Sequence, residues 1–122
     1  MWFVATGKLR YGNKNLVVDV DQQLADYYRS LLPFYWNHNR CRFDAHISVV
    51  RLESPAKLDL WGKHDGETIS FEYSNEIAWD DIYIWLPVRS QRLEDIRVEL
   101  GLPFQPWWEN LFHITIANKK EL

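Results

Sequence analysis

The chain has 122 residues and no break in composition, which points to one domain over 1–122, large enough to bury a hydrophobic core without disulfides or metals. A formal net charge of -3 argues against a nonspecific nucleic-acid coat, so duplex DNA is not an expected partner. The single cysteine, Cys41, excludes an intrachain disulfide and any cysteine-based zinc cluster.

Charge is uneven along the chain. Residues 1–62 hold 8 Lys+Arg against 6 Asp+Glu, and residues 63–122 hold 6 against 11, so a local basic surface belongs to the first half if anywhere. Aromatic residues reach 16%, enough for a large aromatic core with a few rings left over to stack on a planar ligand such as a base. Lys8 and Arg10 interrupt the first apolar run too early for a signal peptide. No apolar stretch approaches the about 20 residues that a membrane helix needs. The expectation is a soluble, cytoplasmic protein with no membrane partner.

In chain order, residues 2–10 and 15–20 read as strands around a turn at Gly12-Asn13. Asp19 or Asp21 can cap a helix running through Leu24, Tyr27, Tyr28, Leu31 and Leu32 at helical spacing, with Pro33 beyond it. Residues 45–52 form a third strand. Strands are expected again at 67–73 and at 81–88, where Ile82, Ile84 and Leu86 alternate with Tyr83 and Trp85. A second helix is predicted over 90–100, carrying Leu93, Ile96, Val98 and Leu100 and stopped by Gly101. Residues 103–110 read as a proline-bearing loop and 111–117 as the last strand. The order is ββαβ twice, which predicts an α+β fold with two pseudo-equivalent lobes.

Both halves end on a strand with the same polar signature. The first reads Asp44-Ala45-His46-Ile47-Ser48-Val49-Val50 and the second Leu111-Phe112-His113-Ile114-Thr115-Ile116-Ala117. In a strand, i and i+2 share a face about 6.6 Å apart along the backbone, so each strand presents an imidazole and a hydroxyl to one side. Only nine residues of the chain are Ser or Thr, so two of four histidines carrying one at i+2 is a rare coincidence. Two histidines and two hydroxyls suit phosphodiester transfer without a metal. One neutral imidazole takes a proton from the attacking oxygen and the other, protonated, gives one to the leaving oxygen. The hydroxyls donate to the non-bridging oxygens, where charge builds. The residues leave open which imidazole is base and which acid. Zinc is the rival use, with Asp44 on the His46 face as a third ligand, but two histidines make a poor site.

Two H-h-[ST]-h motifs, "HISV" and "HITI", on strands of a duplicated ββα plan resemble the 2H phosphoesterase superfamily. The resemblance implies a bilobal, 2H phosphoesterase-like α+β fold with two pseudo-symmetric ββαβ lobes around a central cleft. It also implies a catalytic set of His46, Ser48, His113 and Thr115, with no metal or other cofactor. The stretches "GKLRYG", "DQQLADYYRSLLP" and "AHISVVR" are similar to phage anti-CBASS proteins of that superfamily, which cleave cyclic di- and trinucleotide immune signals. That similarity implies a cyclic oligonucleotide substrate with 3′,5′ linkages, attack by the substrate's own 2′-OH and, if the chain is phage-encoded, the host cytoplasm as the place of action. It also implies base stacking, for which Tyr11 and Trp61 are the candidates. The alternatives are an RNA 2′,3′-cyclic phosphodiesterase, or a non-catalytic module that binds cyclic nucleotides or RNA.

Lys8 and Arg10 share a face of the first strand, as a solvated edge or as charge for a substrate phosphate. Trp107 and Trp108 precede the His113 strand and are candidates to rim the cleft. Arg51, five residues after His46, projects to the opposite face of a regular strand and is left out of the site. Cys41 lacks a nucleophile motif despite Arg40 and Arg42 beside it, and His38 and His64 read as ordinary surface histidines. Glu109 and Asp44 are candidates to orient an imidazole.

Overall fold

A ten-residue strand opens the chain, and the computed structural model describes residues 1–106 and 112–119. Strand β1 (Trp2–Tyr11) pairs antiparallel with β2 (Leu16–Asp19), and the turn between them closes where the Gly12 N–H donates to the Asn15 carbonyl at 2.7 Å. Helix α1 (Gln22–Ser30) starts at Asp21, whose carboxylate accepts the Gln23 N–H at 2.9 Å. The helix ends before Leu31 and Leu32, two expected members, because the residue ahead of Pro33 is pushed out of the helical region.

A two-residue strand β3 (His38–Asn39) follows, then β4 (His46–Val50), and a 3-10 turn at Leu58–Leu60. The second half contributes β5 (Thr68–Ser74), the short β6 (Ala78–Trp79), β7 (Tyr83–Arg89), helix α2 (Gln91–Glu99) and β8 (His113–Lys119). The short β3 and β6 carry no alternating pattern of their own, so only pairing with β8 and β7 defines them.

The strands close into one antiparallel barrel in the order β1-β2-β4-β8-β7-β5, with β5 returning to β1. Each half supplies three consecutive strands, and the halves meet at β1–β5 and at β4–β8. Among the described residues the fold is mixed α+β, one closed antiparallel barrel with two helices, and only with the short β3 and β6 set aside do the elements run ββαβ twice. Among the described residues no helix is long and apolar enough to cross a membrane.

Alternation splits the barrel wall into two faces. Leu9, Leu16, Val18, Ile47, Ile84, Leu86 and Ile114 form one buried cluster with Ala25 of α1 and Leu93 and Ile96 of α2. Burying each such aliphatic side chain stabilises the fold by about 1.5–3 kcal/mol. The opposite face carries the polar residues of the same strands.

Helix α2 is capped by the Ser90 hydroxyl and stopped by Gly101 at φ +83. Gly101 N–H bonds the Val98 carbonyl and Leu102 N–H the Arg97 carbonyl, a Schellman closure that requires the left-handed residue. Val98, expected on the apolar side, is exposed, and Arg97 takes the buried position instead at 0% exposure. Its guanidinium forms a bidentate pair with Glu53 (2.8 and 2.7 Å) and donates to the carbonyls of Val49 (2.7 Å) and Pro103 (2.8 Å). A charge so deep is tolerated only because it is paired and hydrogen-bonded.

Candidate active site

The two histidine strands are neighbours in the barrel. Their pairing is centred on Ile47 and Ile114, the middle residues of the two motifs. Antiparallel geometry about that pair sets His46 across from Thr115 and Ser48 across from His113. The two histidines then stand on a diagonal, about 7–8 Å apart in an ideal sheet. That diagonal sets both imidazoles on the same face of the paired strands. All four side chains line a single cavity of about 1150 Å³, while Ile47 and Ile114 are fully buried behind them.

His46 is held from behind. Its Nδ1 lies 2.8 Å from the carbonyl oxygen of Asp44, which can only accept, so in the neutral ring Nδ1 carries the proton and Nε2 faces outward. The loop before it is pinned where the Ala45 N–H donates to Gln22 Oε1 at 2.7 Å and the Val20 N–H to the Ala45 carbonyl at 3.1 Å. Asp44 therefore orients His46 through its main chain; its carboxylate is 95% exposed. The His113 ring stands 5.9 Å from that of Trp85, centroid to centroid, and Trp85 is the cross-strand neighbour of Thr115.

Both motif strands carry the same irregularity. On β4, Ser48 pairs with Val17 and Val50 with Leu16, so Val49 is an extra residue. On β8, Thr115 pairs with Trp85 and Ala117 with Ile84, so Ile116 is extra. Each bulge falls three residues after its histidine, and each puts two consecutive buried residues in the strand. A bulge reverses the phase of alternation beyond it. Arg51 and Asn118, each five residues after its histidine, consequently line the cavity with the motifs. The expected opposite-face position of Arg51 is thus corrected, since it assumed a regular strand. The Val49 carbonyl takes its hydrogen bond from Arg97 Nη1, which anchors the first bulge in the core.

Of the other expected site residues, Arg10 lines the cavity but is clamped by Asp19 through two hydrogen bonds of 2.8 and 3.0 Å. That carboxylate holds the guanidinium above its ordinary pKa. Lys8 shares the Arg10 face, yet its Nζ donates to Thr68 Oγ1 at 2.6 Å and it lies outside the cavity wall. Tyr11 and Trp61 do not line the cavity that holds the two motifs. Tyr11 sits on the Leu9 face of β1, away from Arg10, and packs edge-on against Trp61 with centroids 5.1 Å apart. Trp61 Nε1 donates to the Gly12 carbonyl at 3.2 Å, and burial raises the Tyr11 phenol. The physical reason is parity: one odd-numbered face of β1 belongs to the core. Trp107, with Trp108 and Glu109, lies outside the described residues.

Cavity residues missed in the sequence include Tyr83 and Trp85, although their alternation with Ile82 and Ile84 was the available signal. Asp80 presents Tyr83 by accepting the N–H groups of Ile82 and Tyr83 at 2.8 and 2.7 Å, bonds that also hold its carboxyl below the usual range. Cys41 lines the cavity half-buried, with Sγ 3.7 Å from the Thr115 carbonyl, and burial pushes its thiol up, against thiolate chemistry. His64 is no plain surface residue: its Nε2 lies 2.7 Å from Glu99 and its Nδ1 3.5 Å from Glu67, with 17% of the side chain exposed.

With this geometry in hand, comparison with known proteins adds no relative: no family model matches the chain, and no curated protein or solved structure matches it significantly.

Proposed function

We propose that this protein is a metal-independent phosphodiesterase of the 2H phosphoesterase type, acting on cyclic oligonucleotide immune signals in the manner of phage anti-CBASS proteins. One observation carries the reading. Two His-x-Ser/Thr triplets pair through Ile47 and Ile114, so that two imidazoles and two hydroxyls line one cavity.

The reaction that suits this set is internal transesterification at a 3′,5′ linkage. One imidazole removes the proton of the 2′-OH as that oxygen forms a bond to phosphorus. The bond from phosphorus to the 5′-oxygen breaks, and the second imidazole, as imidazolium, protonates the departing oxygen. Ser48 and Thr115 donate to the non-bridging oxygens of the crowded phosphorus, where negative charge grows. His46 supplies Nε2 for its share of the transfer, because Nδ1 is engaged by Asp44.

The test is incubation with 3′,3′-cyclic dinucleotides, with and without EDTA, and chromatography of the products. Linear products ending in a cyclic phosphate, formed equally in EDTA, are expected. Loss of turnover in EDTA overturns the metal-free mechanism. Turnover confined to 2′,3′-cyclic phosphates on RNA ends moves the assignment to that substrate. Ligand bound and recovered intact makes the protein a binding module.

A further inference from the structure

The chain has eight arginines. Six of them meet a carboxylate: Arg10 with Asp19, Arg29 and Arg40 with Asp26, Arg89 with Glu72, Arg92 with Glu67 and Arg97 with Glu53. The remaining two, Arg42 and Arg51, line the cavity. Arg42 lies over the Phe43 ring at 5.6 Å. Arg51 has no carboxylate within ion-pair distance among the described residues. In an acidic chain, an arginine held in a cavity without a counter-ion calls for an anion.

Arg51 is also aimed at some structural cost. The Val49 bulge turns it to the cavity face, and Arg97 secures that bulge through the Val49 carbonyl. The next residue, Leu52, adopts φ +53, a left-handed conformation that a leucine takes only under constraint. Glu53, one further, is held by Arg97 in the core. A bulge, a left-handed residue and a buried ion pair together fix the segment that carries one exposed guanidinium.

Position then says which anion. Arg51 lies three residues beyond Ser48, about 7–10 Å along the strand once the bulge shortens the rise. The group between His46 and His113 already has Ser48 and Thr115 for its oxygens. The equivalent place on β8 is Asn118, which is neutral and pairs with the half-exposed Tyr83. The cavity is therefore polarised, cationic beyond Ser48 and aromatic beyond Thr115.

We propose that Arg51 binds a second, non-reacting phosphate, so that the site selects substrates with two or more phosphodiesters over those with one. This deepens the phosphodiesterase reading and rests on it for the identity of the first phosphate. A guanidinium suits this role because its fork can take two phosphate oxygens at once.

Binding of two probes separates the inference from the reading. Cyclic di-dAMP has two phosphates and lacks the 2′-OH needed for attack, and dAMP has one phosphate. In calorimetric titrations Arg51→Met should weaken cyclic di-dAMP about tenfold or more and dAMP less than about twofold. Arg51→Lys should restore part of the loss, and the exposed Lys57→Met should change neither. Equal losses for the two probes, or none for cyclic di-dAMP, overturn the role of Arg51. So does an unaltered protein that binds cyclic di-dAMP no better than dAMP. Selective loss in a protein that fails to cleave cyclic di-AMP would sustain the second-phosphate site and defeat the phosphodiesterase.

Discussion

Ile47 and Ile114 face each other across β4 and β8, each flanked by a histidine on one side and a hydroxyl residue on the other. Because the strands are antiparallel, that one pair imposes a local two-fold relation on the four polar side chains. It also buries both isoleucines fully, so the polar set rests on a packed base.

Removal of either imidazole should therefore stop turnover rather than weaken binding. His46→Ala and His113→Ala are each expected to lower kcat by about 10²–10⁴, the usual worth of a positioned acid or base. Ser48→Ala and Thr115→Val should cost about 10²–10³ through the lost donor. Single-turnover rates on a cyclic dinucleotide check this; unchanged rates in both histidine variants would remove these residues from the chemistry.

Tyr11 and Trp61 should behave as packing residues. Each truncation to Ala is expected to lower stability by about 1–4 kcal/mol in urea unfolding, since a large ring leaves a partly buried site. KM for substrate should stay within about twofold of the parent. A large rise in KM at full stability would return these rings to the binding site.

The Arg97–Glu53 pair should be costly to break from one side. Arg97→Met leaves a carboxylate without its partner and the Val49 carbonyl without its donor, and about 3–5 kcal/mol of destabilisation is expected. The double variant Arg97→Met/Glu53→Met should lose less than the sum of the two single changes, measured by equilibrium unfolding.

Stability should fall in acid partly through Glu99. Lys63 and His64 hydrogen-bond its carboxylate and pull its pKa from 4.5 to about 2. A carboxyl depressed in the folded state stabilises above its unfolded pKa, and that contribution fades as pH drops from 4.5 towards 2. Glu99→Gln should thus lower Tm at pH 7 and leave it close to the parent's at pH 2. An equal drop in Tm at both pH values would show the loss to be packing.

Much of the site was legible in one dimension. Period-two alternation paired His46 with Ser48 and His113 with Thr115, and local rules located most strands and both helices to within a few residues at either end. Tyr11 and Trp61 illustrate where that stops, because an aromatic residue in a strand looks the same whether it faces core or cleft. Arg51 was misplaced for a related reason: the apolar doublets Val49-Val50 and Ile116-Ala117 interrupt the alternation, but only two strands in register show that the interruption is a one-residue bulge. Arg97 was hidden too, since a charged residue in a helix reads as solvated until its partners from other segments arrive.

What the sequence determined by itself was the pair of His-x-Ser/Thr strands and the repeated ββαβ order, because both follow from interactions within a few residues. Tertiary structure alone decided that the two strands lie side by side, centred on Ile47 and Ile114. It alone turned Arg51 into the cavity and Tyr11 out of it. Strand neighbours, register and bulges arise from hydrogen bonds between residues far apart in the chain, and no local preference encodes them.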